Sequence, residues 1–429
     1  MRSGSLFYTI TYYMMKMRFR FAMICLLLAC VSQAQVVPGA WRTDRYLSML
    51  EGKRVAVCGN QTSLVDTCRY EFLSADSNIL VIDCSPKSLQ PAEMPHLVDV
   101  LLANKVQVVK IFCPEHGFRG NAEAGAHIAS GVDAKTGLPI VSLYGNNKKP
   151  QPSQLSDVDV IVFDLQDVGC RFYTYISTLH YVMEAAAENG VEVIVLDRPN
   201  PNGYFVDGPV LNPKWKSFVG MHPVPVVYGM TIGEYAFMIN GERWLAGGRA
   251  CQLTVIALEN YTHQTRYTLP VRPSPNLPND EAIYLYPSLC FFEGTNVSIG
   301  RGTEHPFQMY GSPQMTKGDY TFTPHPIKGV SENPLCNGKL CRGYYLYPQA
   351  HDSLNTSNRL SLEYLLTAYQ CTSDKSAFFT NAAFFDKLVG TDQLRKQIIQ
   401  GLTEEQIRAS WQADLDSFMV VRAKYLLYE

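Results

Sequence analysis

The feature that most constrains this chain is a pair of short β-branched runs, each cut off by charge. Asp159-Val-Ile-Val-Phe-Asp164 is apolar between its two acids, the mark of a strand buried on both faces. It runs into Leu165-Gln-Asp167-Val-Gly-Cys-Arg171-Phe-Tyr173-Thr-Tyr175. Ile176, Leu179, Met183 and Ala187 then recur at helical spacing, and Asn189-Gly190 supplies a C-terminal cap. Val191 to Leu196 is the next buried strand, ending in Asp197-Arg198-Pro-Asn200-Pro-Asn-Gly203. The unit is strand, helix, strand, with polar groups at the carboxyl ends of the strands, where open α/β sheets bind ligands.

Upstream the same grammar repeats. Arg54 to Cys58, Val106 to Phe112 and Pro139 to Tyr144 read as strands, and Pro95 to Lys105 as an amphipathic helix. No G-x-G-x-x-G follows the first strand, so a Rossmann-like sheet here implies no dinucleotide, and no cofactor is expected. From about residue 250 Pro, Tyr and Gly rise, and helical patterns return at Leu360 to Tyr369 and from Thr391 onward. The predicted class is α/β: a Rossmann-like, mostly parallel sheet domain over 35–248, with a smaller α+β domain over 249–429.

Met17-Arg-Phe-Arg20 followed by Phe21 to Val31 is a charged region and a short apolar region, the pattern of an export signal over residues 1–34. Cleavage after Ala34 and lipidation at Cys30, in Leu27-Leu-Ala-Cys30, both fit, so an exported protein, periplasmic or attached to the envelope by a lipid anchor, is expected. Residues 1–34 hold four basic groups and no acids, leaving 33 positive against 39 negative groups in the remainder. A mildly acidic protein is a poor binder of nucleic-acid phosphates. Ten cysteines remain beyond residue 34; Cys336 with Cys341, and Cys58 with Cys68, can close small loops. No C-x-x-C or H-E-x-x-H is present, so no metal site is expected.

The candidate chemistry sits at strand ends. Glu115, beside His116 and Gly117 after the second strand, suits a general acid. Asp164 and Asp167 are a second pair of carboxylates, and paired acids can divide acid and base roles. Arg171 offers a planar fork for a carboxylate, and Tyr173 and Tyr175 suit orienting or stacking on a sugar. Glu293-Gly-Thr-Asn296-Val-Ser-Ile-Gly-Arg301-Gly-Thr303 is too glycine-rich and polar for filler and is expected to reach the cleft from the second domain.

Five motifs, Pro114 to Gly120, Asp164 to Tyr175, Leu196 to Pro201, Gly229 to Thr231 and Glu293 to Thr303, closely resemble the NamZ family, formerly a domain of unknown function. The resemblance runs from about residue 45 onward. It implies a secreted exo-β-N-acetylmuramidase acting on non-reducing-end N-acetylmuramic acid in peptidoglycan-derived disaccharides or muropeptides. It favours Glu115 as a catalytic carboxyl, with Arg171 and Tyr173 or Tyr175 lining the cleft. The sugar's lactyl carboxylate calls for an arginine, for which Arg119, Arg171, Arg198 and Arg301 are candidates, with Asn200 nearby. Its acetamido group can serve as an internal nucleophile. An amidase or esterase fits less well, because no G-x-S-x-G elbow is present. A non-catalytic envelope glycan binder fits less well too, because such a cleft should avoid unpaired carboxylates.

Overall fold

The computed structural model describes residues 35–66, 90, 92–115, 117–119, 131–346 and 358–429. The expected export segment with Cys30, the candidate His116, and Cys68 lie outside these residues.

The first lobe is built on a seven-stranded sheet: β1 (Arg54–Gly59), β2 (Gln107–Cys113), β3 (Gly131–Val132), β4 (Pro139–Ser142), β5 (Val160–Asp164), β6 (Glu192–Leu196) and β7 (Leu253–Ile256). Their order is β3-β4-β2-β1-β5-β6-β7. Only β3 runs antiparallel to its neighbour, β4. Period-2 alternation explains why both faces are apolar. Val160 and Val162 join one core with Val55 and Val57, while Ile161 and Phe163 join the other with Ala56 and Cys58. Burying a side chain such as Phe163 contributes about 1.5–3 kcal/mol. Helix α1 (Leu97–Ala103) covers the first face and α2 (Tyr175–Asn189) the second, closed by Gly190 at φ +69°. The chain builds outward from β1 through β2 and β4, then crosses to β5, so the order reverses at β1 and β5. Ligand crevices form beside such a reversal, at the carboxyl ends of the strands.

β7 lies beyond residue 248, where the texture of the sequence suggested a domain boundary, yet it pairs in parallel with Val193–Leu196 of β6. The second lobe follows, with a three-stranded antiparallel sheet in the order β8 (Met309–Ser312), β10 (Cys341–Tyr345), β9 (Tyr320–Phe322). Helix α3 (Asp280–Leu289) escapes a sequence reading because Pro287 lies inside it. Pro287 has no N–H for the carbonyl of Ile283, and that carbonyl accepts from Asn202 Nδ2 at 3.2 Å instead. The expected helical region from Thr391 onward is three helices, Gln393–Gln400, Glu404–Ala409 and Gln412–Arg422, preceded by α4 (Ala382–Val389).

Candidate active site

A cavity of about 670 Å³ opens where the carboxyl ends of β2, β4 and β5 meet the second lobe. The first lobe supplies Glu115 from beyond β2, Tyr144 from beyond β4, and Phe172, Tyr173 and Thr174 from the turn between β5 and α2. The second lobe supplies Glu293, Thr295, Ser298, Arg301 and Phe307, with Val330 to Leu335 along one rim.

Glu115 accepts from a neutral donor. Thr174 Oγ1 donates to Glu115 Oε2 at 3.0 Å, and Tyr144 lies close enough for its phenol to feel the charge of the same carboxylate. Burial first, and the Glu115 charge second, push the Tyr144 phenol up, so it stays a donor. Tyr173 lines the cavity with its ring, its hydroxyl donating to the carbonyl of Pro273 at 2.8 Å. Glu293 and Arg301 form an ion pair in the cavity wall. Both Nε (3.1 Å) and Nη2 (2.5 Å) of Arg301 reach the single oxygen Oε1 of Glu293. The guanidinium also lies 5.0 Å from the centre of the Phe307 ring. Two fork contacts on one oxygen leave the Nη1 edge of Arg301 for a ligand.

Several residues expected in the cleft are buried behind it. Asp164 has no exposed surface, and Arg198 donates to it through Nε (2.5 Å) and Nη2 (2.9 Å). Asp167 accepts from the Gly169 N–H (2.7 Å) and from the Tyr228 hydroxyl, and burial raises its carboxyl to about 7. Gly169 holds φ +76°, and a Cβ there would fall 2.2 Å from Asn200 Oδ1. Asn200 is spent locally, donating to the carbonyl of Met230 and accepting from the N–H of Asn202. Arg171, expected to bind a substrate carboxylate, is fully buried and donates instead to four carbonyls. Two belong to the first lobe, Pro209 (2.8 Å) and Val224 (2.7 Å), and two to the end of α4, Leu388 (2.9 Å) and Val389 (2.6 Å).

Tyr175 is likewise buried. It packs edge-on to Tyr173 at 4.8 Å and accepts from Asn60 Nδ2 at 2.6 Å. Arg119 is committed to Asp133 through Nε (3.0 Å) and Nη2 (2.8 Å). Asn296 sits between two lining residues but donates to Gln314 at 2.6 Å. Of the four arginines proposed for a carboxylate, Arg301 alone lines the cavity. Sequence reasoning missed Tyr144 and Thr174, although Tyr144 ends a predicted strand and Thr174 sits between the two tyrosines singled out.

Comparison with known proteins matches this arrangement to one family. Residues 82–281 match the N-terminal domain model of exo-β-N-acetylmuramidase NamZ, and residues 284–428 its C-terminal domain model. The chain is 40% identical over 347 residues to the peptidoglycan β-N-acetylmuramidase NamZ of Bacillus subtilis (strain 168), covering 77% of this chain and 82% of that one. Two crystal structures of DUF1343 family proteins from Bacteroides fragilis NCTC 9343 share the fold. One is 44% identical with a TM-score of 0.79, the other 28% identical with a TM-score of 0.72, and each alignment covers 92% of this chain and 99% of the other. The chain therefore belongs to the NamZ family of exo-β-N-acetylmuramidases.

Proposed function

We infer that this protein is a glycoside hydrolase that removes N-acetylmuramic acid from the non-reducing ends of peptidoglycan fragments. One observation carries the reading beyond kinship: the two family segments meet at a single cavity that holds an acid, Glu115, on one lobe and a cation, Arg301, on the other. Glu115 is the general acid that protonates the glycosidic oxygen as the bond breaks. The Thr174 hydroxyl helps to fix its direction, and Tyr144 stands beside it in the cavity. Arg301 receives the lactyl carboxylate on its free edge, which separates N-acetylmuramides from N-acetylglucosaminides. Glu293 is the other carboxylate lining the cavity among the described residues, and it is committed to Arg301. The substrate's own acetamido oxygen is therefore the favoured nucleophile. The charged and apolar regions of Met17 to Val31 support export, which brings the enzyme to its substrate.

The test is turnover of a chromogenic β-N-acetylmuramide beside the matching glucosaminide. Cleavage of the muramide alone is expected. Equal rates on the two overturn the assignment.

A further inference from the structure

The rim of the cavity ends in a pair of cysteines. Val330, Ser331, Asn333 and Leu335 line the opening, and the chain runs directly from Leu335 into Cys336. Five residues later Cys341 begins β10, fully buried with Met309 and Phe322 in a small core of its own. Cys336 packs against that same core, and the Cys341 thiol donates to the carbonyl of Lys339, within the loop that joins the two cysteines, at 3.7 Å. The backbone is shaped for this contact. Cys336 holds φ +63°, a conformation that residues with a Cβ rarely adopt, and the Lys339 N–H closes the turn on its carbonyl at 2.9 Å. Among the described residues the other cysteines, Cys58, Cys113, Cys170, Cys251, Cys290 and Cys371, are buried.

We propose that Cys336 and Cys341 form a disulfide that staples the rim of the substrate cavity to the three-stranded sheet. The oxidant is a small-molecule or protein disulfide. Cys336, half-buried and more accessible than Cys341, attacks one sulfur of that disulfide as a thiolate and releases one thiol. Cys341 then displaces the second thiol and closes the S–S bond. Two cysteines are oxidised, one disulfide is reduced to two thiols, and two protons pass from the cysteines to the departing sulfurs. The neighbouring Cys341 thiol, with the charge of Lys339, holds the Cys336 thiol below its usual range, which favours it as the attacking group. The bridge adds a covalent anchor to a rim otherwise held by contacts such as Asn276 Nδ2 on the carbonyl of Val330 at 2.7 Å.

The intact protein is incubated with oxidised glutathione, alkylated in denaturant, and digested with trypsin without reductant. Cleavage at Lys328, Lys339 and Arg342 should yield Gly329–Lys339 joined through sulfur to Leu340–Arg342. Full alkylation of both cysteines, or pairing of either with another cysteine, overturns the proposal. A second readout tests the rim. Reduction should raise KM for a chromogenic muramide about threefold or more and leave kcat unchanged, because the acid and its Thr174 donor belong to the other lobe. Cys336→Ser should show the higher KM with or without reductant. A bridge that forms without moving KM overturns the role at the rim. The inference rests on the muramidase reading for KM alone; absence of turnover in every state counts against that reading, while the mass of the linked peptides still decides the bridge.

Discussion

The carboxyl ends of β2 and β5 carry the same signal in the sequence and opposite uses in the fold. Each is a buried apolar run that stops at an acid. At β2 the acid is Glu115, which lines the cavity and accepts from the Thr174 hydroxyl. At β5 it is Asp164, sealed from solvent and gripped by Arg198 from the end of β6. A carboxylate fixed by a bidentate guanidinium is scaffold, because moving its proton would leave a charge buried without a partner. A carboxylate open to a cavity can give a proton to a ligand there and take one back. Access to the cavity, more than the position at a strand end, sets Glu115 apart from Asp164 in this sheet.

Four variants sharpen or break that contrast. Glu115→Gln keeps the shape and removes the proton. Turnover of a natural disaccharide should fall by ~10²–10⁴-fold, while a substrate with an activated phenolate leaving group suffers less. Near-normal turnover of the disaccharide by the folded variant would remove Glu115 from the role. Asp164→Ala should do the reverse. It strands Arg198 in the interior and destabilises the protein by about 3–5 kcal/mol in urea unfolding. The protein that remains folded should keep kcat and KM within about twofold. A catalytic collapse at unchanged stability would contradict the contrast.

Arg301→Met combined with Glu293→Gln removes both members of their ion pair, so neither is left without the other. The preference for muramide over glucosaminide should shrink by about 2–5 kcal/mol, read as the ratio of kcat/KM on the two substrates. Asp167→Asn should have the smallest effect. Burial raises the Asp167 carboxyl to about 7, whereas the unfolded chain titrates near the ordinary value of about 3.9. The fold therefore favours the protonated form. That contribution is complete below about pH 4 and is lost as pH rises through about 7. The asparagine variant lacks this loss, so its Tm should gain on the wild type by roughly a few degrees between pH 4 and 8. A constant offset across that range would show that Asp167 does not titrate there.

The parallel sheet was legible because β-branched runs buried on both faces have few alternatives. Gly190 marked the end of α2, and the Glu293 to Thr303 loop announced itself by composition. Helix α3 was hidden because the partner that compensates for Pro287 is Asn202, 81 residues away from Ile283. The site was only partly legible for a similar reason. Asp164, Arg171 and Arg198 look like cleft residues as long as their partners are unknown. The pairing of Asp164 with Arg198 spans 34 residues, and the carbonyls that receive Arg171 lie up to 218 residues away. Thr174 was overlooked because a hydroxyl beside two tyrosines draws no notice until Glu115 is seen to face it.

Arg171 has a consequence for how substrate arrives. Its guanidinium rivets two carbonyls of one lobe to two of the other with no exposed surface, so swinging the lobes apart would strand a buried cation. The lobes are accordingly expected to keep their spacing as sugar enters, without a hinge motion between them. In stopped-flow measurements the observed binding rate should rise linearly with ligand concentration and reach no plateau.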